Sequence, residues 1–431
     1  MEYFQPEIET MDRAGLDGLQ LRKVEALVRF AYDRSLLYRE RWEAAGVRPE
    51  SIDSLDSFRK HTPLLGKKEL VDFRERRGDP YCGLLCVDPA LVNNIGTSSG
   101  TTAEPMPLVE LVDGAPPFAS TVRDMWGAGL RPGDRVLHCF ATQRGPQERV
   151  YHRIGCVPMM VNMRMGADWD LVFRMIRHHQ PTHIYLLGFM IAELARLSRD
   201  HDLKAIFAPI KVAVVTGEPL GARMRARMKE EWGLQLFEVT GTADVGVAWD
   251  CRAHDGFHIW DDYVYAECLD PVSGLPVPEG QPGELVCTAL ANLAWPLIRY
   301  RSGDLVRLTR QPCACGRTHT RFHLLGRISD QLNVAGVSIL PMQLWQIIEQ
   351  VDQTATAVFQ IIHPGTADVA RLMLRIGYDT LEGTEVDALR ATLAARIAAQ
   401  TGLTPIIELM PADALLASSP SGIKLPRVVK S

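Results

Sequence analysis

The chain has 431 residues, and at roughly 150 residues per domain this length predicts two or three domains. Hydrophobic residues make up 46% and charged residues 23%, which excludes a disordered or fibrous protein. The net charge of -5 predicts no nucleic-acid partner, and the absence of an apolar run of about 18 residues predicts no membrane span.

The cysteine count and the first residues predict a reducing compartment. The nine cysteines are an odd number, and the acidic start of the chain lacks the apolar core of a secretory signal. A disulfide framework is therefore the poorer interpretation, and a cytoplasmic enzyme is expected.

The first ninety or so residues are predicted to be helical. Apolar residues at helical spacing predict helices over 21–38, 54–59 and 67–77. From about Leu108 the pattern changes to short apolar runs that alternate with amphipathic stretches. This alternation predicts a parallel α/β sheet, with strands at 135–140, 183–187 and 211–215 and helices at 168–179 and 190–198.

The rest of the chain predicts two further regions. Strand signals without helices, separated by Gly/Pro turns, predict a β-subdomain at about 251–326. After Arg327 a helix, two strands and a helix predict a small α+β domain, at 341–351, 357–363, 370–376 and 385–400. The predicted fold class is α/β, with a large domain at 1–326 and a small mobile cap at 327–431.

A stretch rich in hydroxyl groups, Thr97-Ser98-Ser99-Gly100-Thr101-Thr102-Ala103-Glu104-Pro105, is the first motif that points to chemistry. Its hydroxyls and the backbone N–H groups around a glycine can surround phosphate oxygens. It lacks the Gly-Lys-Ser/Thr ending of a P-loop, so a P-loop NTPase is excluded. Taken alone, the stretch could equally be a flexible polar linker.

Further motifs follow in order along the chain. They are Thr216-Gly217-Glu218-Pro219, Gly283-Glu284-Leu285-Val286, the stretch from Trp295 to Asp304, and Gly326-Arg327-Ile328-Ser329-Asp330. With the hydroxyl-rich stretch and the segment from Leu37 to Leu64, they resemble the phenylacetate–CoA ligase family of the acyl-adenylate-forming ligases. The resemblance covers nearly the whole chain.

The resemblance implies that a carboxylate attacks the α-phosphate of ATP and expels pyrophosphate, after which the acyl group passes to coenzyme A. It implies a residue for each part of the nucleotide, with Arg327 contacting it from the hinge between the domains. The phosphates would contact Ser98, Ser99, Gly100, Thr101 and Thr102. The adenine would contact Gly217, Glu218 and Pro219, and the ribose hydroxyls would contact Asp304.

Thr240-Gly241-Thr242-Ala243-Asp244 departs from the family pattern at three positions. Thr240 stands where the family has an aromatic residue that stacks on adenine, and Ala243 replaces a hydroxyl residue. Asp244 replaces glutamate as the implied Mg²⁺ ligand, one methylene shorter. The resemblance keeps Thr240, Gly241 and Thr242 as nucleotide contacts but leaves open how adenine is held.

The C-terminal tail carries the implied catalytic lysine, which would neutralise charge on the transferring phosphoryl group. Lys424 occupies this position if one residue of slippage is allowed. Lys430 is the alternative. A third interpretation is that the tail is frayed and solvated and that neither lysine is catalytic.

Cys313-Ala314-Cys315-Gly316 has the shape of a metal knuckle, but structural zinc needs four ligands. Cys251 and His258 lie upstream, on the other side of the β-subdomain, whose sheet could bring the two segments together. A Cys₃His zinc site of Cys251, His258, Cys313 and Cys315 is therefore predicted, and some relatives in the family carry such a site. His254 and His319 are alternative histidines, and buried cysteines that act as small hydrophobic side chains are the alternative to a metal.

The acid substrate is the least specified part. An acyl pocket lined largely by apolar residues would suit a flat aromatic acid, and the polar pair Gln143 and Arg144 could bind a substituent on the ring or lie exposed in a loop. The other predicted wall residues are Phe140, Ala141, Leu187, Phe189, Gly217 and Val245.

Three functions remain open, with an AMP-forming aryl-acid–CoA ligase as the first hypothesis. The second is an adenylating enzyme whose acceptor is a carrier-protein thiol, an amine or another nucleophile. The third is a non-catalytic relative that binds nucleotide, which the changes at Thr240, Ala243 and Asp244 keep open. The assembly is undetermined, with a homodimer as one alternative.

Overall fold

The computed structural model describes residues 2–97, 106–111, 121–141, 148–218, 220–242, 245–365, 369–379, 385–419 and 425–430. The helices in these residues are α1 Pro6–Glu9, α2 Arg13–Arg34, α3 Leu36–Ala44, α4 Leu55–His61, α5 Lys67–Arg77, α6 Thr121–Gly127, α7 Glu148–Ile154, α8 Trp169–His179, α9 Gly188–Leu197, α10 Leu203–Ile206, α11 Ala222–Glu230, α12 Pro341–Ile348, α13 Glu385–Thr401 and α14 Ala412–Ala417. None of them is long and apolar enough to cross a membrane.

The strands in the described residues are β1 Val92–Thr97, β2 Pro107–Leu111, β3 Arg135–His138, β4 Val157–Met160, β5 His183–Leu187, β6 Val212–Thr216, β7 Gln235–Thr242, β8 Gly246–Asp250, β9 Phe257–Ile259, β10 Val264–Leu269, β11 Pro282–Ala289, β12 Tyr300–Thr309, β13 Arg321–Arg327, β14 Leu332–Val334, β15 Val337–Ile339, β16 Phe359–His363, β17 Met373–Tyr378, β18 Ile406–Pro411 and β19 Val428–Lys430.

Contacts between residues divide the chain into two compact units. The first unit contains Met1–Leu130, Thr142–Ile154 and Val239–Leu324. The second contains Arg131–Ala141, Gly155–Glu238 and Leu325–Ser431. Each unit is described by itself below.

The first unit combines the N-terminal helices with antiparallel strands. Its strands lie in the order β10-β11-β12-β13-β9-β8, and the last residues of β7 pair with β8. The predicted single helix at 21–38 is two helices, because Ser35 is extended and its side chain caps α3 by accepting a hydrogen bond from the N–H of Tyr38. Large apolar side chains such as Trp42, Phe58 and Trp295 fill the core.

The second unit begins with a parallel sheet in the order β6-β5-β3-β4. Helix α8 starts where Asp168 accepts a hydrogen bond from the N–H of Asp170, and it buries Val172, Phe173 and Ile176 on one face. The alternation of apolar runs with amphipathic stretches predicted this arrangement. The predicted α/β fold class is confirmed.

The C-terminal part of the second unit forms a four-stranded sheet in the order β18-β17-β16-β19. Helices α12 and α13 contribute Leu344, Ile348, Leu393 and Ile397 to its apolar core. The short strand β19 runs parallel to β16, and the N–H of Ile361 donates to the carbonyl of the residue just before β19. This pairing fixes the start of the last strand against the sheet.

Candidate metal centre and nucleotide-side residues

The predicted metal ligands Cys251, His258, Cys313 and Cys315 form a buried cluster in the first unit. Their ligand atoms all lie within 4.8 Å of one another. Sγ of Cys251 is 3.6 Å from Sγ of Cys313, and Sγ of Cys315 is 3.5 Å from Nε2 of His258. A disulfide needs a sulfur–sulfur distance of about 2.05 Å, so these cysteines are free thiols. The donor set and spacing fit a four-coordinate cation such as Zn²⁺.

Sheet pairing explains why the two sequence segments meet. On β9, His258 lies opposite Trp249 of β8 and opposite Arg321 of β13. Cys251 follows directly after β8, and the Cys313–Cys315 turn lies between β12 and β13. Neighbouring strands therefore deliver all four ligands to one place.

Backbone donors support negative charge on the sulfurs. The N–H of Ala253 donates to Sγ of Cys251 at 3.4 Å, and the N–H of Cys315 donates to Sγ of Cys313 at 3.5 Å. A hydrogen bond from Cys251 lowers the pKa of the Cys315 thiol. Thiolates are the form in which cysteine binds a metal. The same hydrogen bond raises the pKa of the Cys251 thiol, so the environment favours the thiolate at Cys315 and the neutral thiol at Cys251.

The two alternative histidines have other partners. Nδ1 of His254 lies 3.0 Å from both carboxylate oxygens of Asp250. Nδ1 of His319 accepts a hydrogen bond from the N–H of Asp261 at 2.9 Å, and its Nε2 lies 2.9 Å from the carbonyl of Ile8. Neither histidine belongs to the cluster, and His258 is the histidine that the structure places there.

A buried arginine next to the cluster is a residue that the sequence did not identify. Nε of Arg317 donates to Glu9 at 2.9 Å, and its guanidinium lies 5.0 Å from the ring centre of Trp249. The hydroxyl of Tyr3 donates to the carbonyl of Cys315 at 3.1 Å. The N-terminal residues therefore pack on the cysteine turn, and only the position of Arg317 just after Gly316 could have hinted at this.

In the second unit, the predicted adenine-side turn follows β6. Gly217 adopts a left-handed backbone with φ of +93°, which favours glycine. The Glu218 side chain is 10% exposed. A Cβ on Gly188 would lie 2.8 Å from Cβ of Glu218, so a side chain at position 188 would displace the turn.

Glu218 is held by Arg427, which the sequence did not predict. Nη2 of Arg427 donates to Oε2 of Glu218 at 3.1 Å, and Nη1 donates to the carbonyls of Ala357 and Phe359 at 2.9 and 3.1 Å. The guanidinium carbon lies 4.2 Å from the ring centre of Trp345. Two residues 209 positions apart thus form a buried ion pair.

The implied ribose and nucleotide contacts of the first unit lie on two strands. Asp304 on β12 is 8% exposed, and its N–H donates to Oγ of Ser302 at 2.9 Å. Thr240 and Gly241 lie at the end of β7, opposite Ala248 and Val247 of β8. Thr240 is half-buried, Gly241 is exposed, and Thr242 is described by its backbone alone.

Besides Gly217, four of the predicted acyl-pocket residues lie in the second unit. Phe140 and Ala141 follow β3, and Leu187 ends β5 just before Phe189 in α9. The Phe140 ring centre is 5.2 Å from that of Tyr185, in an edge-to-face arrangement that is typical of aromatic contacts. Ala141 is exposed, so it does not line an enclosed wall. In the first unit Val245 is buried.

Comparison with known proteins identifies the family. No family model matches the chain. The phenylacetate-coenzyme A ligase of Thermus thermophilus is 30% identical over 449 residues, with 99% of both chains covered. The chain belongs to the phenylacetate–CoA ligase family. The enzymes of the same name from Pseudomonas putida and Aromatoleum evansii are 30% and 31% identical, over 80% and 79% of this chain and 79% and 78% of theirs.

Solved structures agree with this family in fold. A 2-hydroxyisobutyryl-CoA ligase in complex with an acyl-AMP is 22% identical, with a TM-score of 0.88 and coverage of 100% of this chain and 93% of that chain. An anthranilate CoA ligase is 16% identical, with a TM-score of 0.57 and coverage of 78% and 66%. The family and the fold class expected from the sequence motifs are confirmed.

The structure leaves part of the family site undescribed. Arg327 is the last residue of β13 and is exposed. The other predicted residues fall outside the described ranges, so their assignments stay predictions: Ser98, Ser99, Gly100, Thr101, Thr102, Gln143, Arg144, Pro219, Asp244 and Lys424.

Proposed function

We propose that this chain is an AMP-forming acid–CoA ligase that activates an aromatic carboxylic acid. The observation that carries the proposal is the 30% identity to a phenylacetate-coenzyme A ligase over 99% of both chains. In the first half-reaction a carboxylate oxygen attacks the α-phosphorus of ATP and pyrophosphate leaves. In the second, the thiolate sulfur of coenzyme A attacks the acyl carbon and AMP leaves.

Nucleotide binding in this proposal uses a small number of described residues. Asp304 accepts hydrogen bonds from both ribose hydroxyls, because a carboxylate can hold a cis-diol with two acceptor oxygens. The backbone of Gly217 and Glu218 lines the adenine. Arg327 contacts the nucleotide from the hinge, with residues 327–431 acting as the mobile cap.

The phosphates have a separate set of residues in the proposal. Ser98 to Thr102 surround the phosphate oxygens with hydroxyl and N–H donors, and Lys424 neutralises charge on the transferring phosphoryl group. Asp244 supplies a carboxylate for Mg²⁺, which shields the charge of ATP when it is bound. Position 240 carries a threonine, so adenine is held without the stacking ring that the family has there.

The second unit supports an aromatic acid as the substrate. Phe140, just after β3, packs edge to face on Tyr185 in the middle of β5, and Phe189 is 2% exposed in α9. Aromatic walls favour a flat ring through offset or edge contacts. Gln143 and Arg144 are proposed to bind a polar substituent on that ring.

The buried Cys₃His cluster is proposed to hold one structural Zn²⁺. All four ligands come from the protein, which leaves no coordination position for water or substrate. The cation would join β8, β9 and the turn before β13, and so stabilise the β-subdomain. The cation would act as a structural cross-link and would take no part in the proposed catalytic steps.

The decisive experiment is the exchange of labelled pyrophosphate into ATP with a panel of acids such as phenylacetate, benzoate and hydroxybenzoates. We expect exchange that depends on one aromatic acid and needs no coenzyme A. Adding coenzyme A should then give the acyl thioester, detected by mass spectrometry. Aliphatic acids of similar size are the matched control for the aromatic requirement.

The same experiment separates the alternatives. Exchange without thioester formation would favour an acceptor other than coenzyme A. The absence of exchange with any acid, from a folded protein, would overturn the adenylation proposal. A homodimer and a cytoplasmic location also stay predictions, to be tested by light scattering and by cell fractionation.

A further inference from the structure

The ion pair between Glu218 and Arg427 is the feature of the second unit that the proposed chemistry does not yet use. The Arg427 side chain is 12% exposed and Glu218 is 10% exposed, so both charges are largely removed from water. Burying charges is costly unless they are paired and hydrogen-bonded. In some proteins a buried pair of this kind fixes one conformation that apolar residues would leave unspecified.

Arg427 is fixed on all sides. Its Nη1 donates to the carbonyls of Ala357 and Phe359, and its guanidinium lies over the rings of Trp345 and Phe359 at 4.2 and 4.9 Å. Its backbone carbonyl accepts from the N–H of Ile361 at 2.7 Å. Its Nη2 donates to Oε2 of Glu218. Arg427 is therefore a rigid support, and Glu218 is the group that it supports.

Glu218 belongs to a short turn that is anchored at both ends. At one end Oε2 of Glu218 accepts from Arg427, and at the other the N–H of Leu220 donates to Glu238 at 2.8 Å. The chain enters this turn through the left-handed backbone of Gly217. Without the first anchor, the turn would keep the hydrogen bond of Leu220 and the packing against Gly188.

The cavity beside the pair is too small for a separate ligand. It has a volume of about 20 Å³, room for about one water molecule, and is lined by Glu218, Arg427, Phe189 and Met224 among others. Oε1 of Glu218 has no hydrogen-bond partner among the described residues. A single water at Oε1 would satisfy this oxygen, so the pair acts on the turn and not on a second substrate.

We propose that Arg427 is a positioning residue for base recognition: when the cap is placed as in this structure, Arg427 fixes Glu218 and thereby holds the Gly217–Glu218 backbone in the geometry that selects adenine, and this contact is released when the cap moves. The inference rests on the proposed function, in which this turn lines the base. Backbone N–H and C=O groups read the edge of a base by hydrogen bonds, which are sensitive to displacements of a few tenths of an ångström. Arginine suits this role because its planar fork makes several hydrogen bonds in fixed directions, which lysine cannot do.

The test compares the binding of ATP and ITP to the full chain by titration calorimetry. Hypoxanthine, the base of ITP, differs from adenine at the base edge: a carbonyl oxygen replaces the 6-amino group, and N1 becomes a donor instead of an acceptor. For Arg427→Gln we expect ATP affinity to fall by about tenfold, the effect of losing one hydrogen bond of good geometry, while ITP affinity changes by less than about threefold. Arg427→Lys keeps the positive charge, so its ATP affinity should lie between that of the wild type and that of Arg427→Gln.

Two further variants keep the test decisive. Glu218→Gln combined with Arg427→Gln removes both charges, so no unpaired carboxylate is left buried, and it should match Arg427→Gln alone because both act through one turn. Arg223→Gln is the matched control, since Arg223 also donates from α11 to the C-terminal part, at the carbonyl of Gln350, but touches neither Glu218 nor the turn. It should leave the ATP-to-ITP ratio unchanged.

Equal losses for ATP and ITP, or a ratio in Arg427→Gln that equals that of Arg223→Gln, would overturn the proposal. So would a wild-type chain that binds neither nucleotide. The test is independent of acid activation, because it measures binding alone. A wild-type chain that discriminates ATP from ITP, loses this discrimination in Arg427→Gln and still shows no pyrophosphate exchange would overturn the proposed function and support this inference.

Discussion

The cysteine cluster of the first unit and the Glu218–Arg427 pair of the second unit bury polar groups in different ways. The cluster contains three thiols and an imidazole, and the hydrogen bond between Cys251 and Cys315 lowers the pKa of the Cys315 thiol while it raises that of Cys251. The pair brings its own positive charge, with Arg427 donating to the carboxylate at 3.1 Å. Negative charge in the cluster therefore calls for an added cation, whereas the pair is complete within the chain.

Because of this difference, the cluster and the pair should be sensitive to different treatments. Chelation should affect the cluster and leave the pair intact. Substitution of Lys424 or Arg427 should affect nucleotide chemistry and leave the metal content unchanged. Metal binding at the cluster and nucleotide chemistry at the tail can therefore be tested separately by substitution.

The largest effect is expected for Lys424→Ala, in the tail three residues before Arg427. Removing the ammonium group that offsets charge on the transferring phosphoryl group should lower the adenylation rate by about a thousandfold. ATP affinity and bound metal should stay close to the wild-type values. Pyrophosphate exchange, calorimetry and metal analysis on the same preparation measure the three quantities.

Lys430→Ala is the control for this assignment. Lys430 is exposed at the end of β19, opposite His363 of β16. We expect its activity to stay near that of the wild type. If Lys430→Ala loses exchange while Lys424→Ala keeps it, the assignment of the tail lysine is wrong.

Cys313→Ser should release the metal from the cluster. A protein purified without chelator should contain about one zinc ion per chain, and the variant about none. Loss of a structural cation should lower the apparent melting temperature by about 10 °C, since each kcal/mol corresponds to a few degrees in a protein of this size. Elemental analysis and thermal unfolding measure both changes.

Cys268→Ser and His254→Ala are the matched controls. Cys268 lies on β10 outside the cluster, and His254 pairs with Asp250. Both variants should keep their zinc. Equal metal content in Cys313→Ser and these controls would refute the Cys₃His site.

The two regions also differ in how far the sequence predicts them. Cys313 and Cys315 stand two positions apart in a recognisable knuckle, and pairing of β8, β9 and β13 was enough to bring Cys251 and His258 to them. Metal ligands leave a pattern because their chemistry restricts both residue type and spacing.

The sequence around Arg427 has no comparable pattern that would identify its role. An arginine near a tail is most often solvated, and its partner Glu218 is 209 positions away. The buried environment that makes this arginine a support depends on α12, β16 and β19 assembling around it. Long-range pairs of this kind follow from the tertiary structure, while the helices, the parallel strands and the family could be predicted from local pattern and motif order.

Asp304→Ala should raise the KM for ATP by about a hundredfold, since the variant loses two hydrogen bonds between ribose hydroxyls and a charged acceptor. The KM for the acid should change little, because the acid does not contact the ribose site. Asp270→Asn, in a surface turn of the same unit, is the control. A similar rise in both KM values would indicate a general distortion and would contradict the ribose assignment.

The smallest effect concerns the buried carboxyl group of Asp124. Nε1 of Trp260 donates to its Oδ1 at 2.6 Å, and its Oδ2 has no hydrogen-bond partner among the described residues. Burial raises the pKa of this carboxyl to about 8 from 3.8. The folded chain therefore keeps a proton here that the unfolded chain releases.

The proton on Asp124 makes the free energy of unfolding depend on pH. Between about pH 4 and pH 8 the folded state binds more protons than the unfolded state at this position, so its contribution to the free energy of unfolding falls as the pH rises. Asp124→Asn keeps an acceptor for Trp260 and does not titrate. Between pH 6 and 7 the wild type should lose about 1 kcal/mol more unfolding free energy than the variant, measured by urea unfolding at each pH. Parallel pH profiles for the two proteins would mean that Asp124 is ionised in the folded state, with a counter-charge supplied from within its surroundings as it is for Glu218.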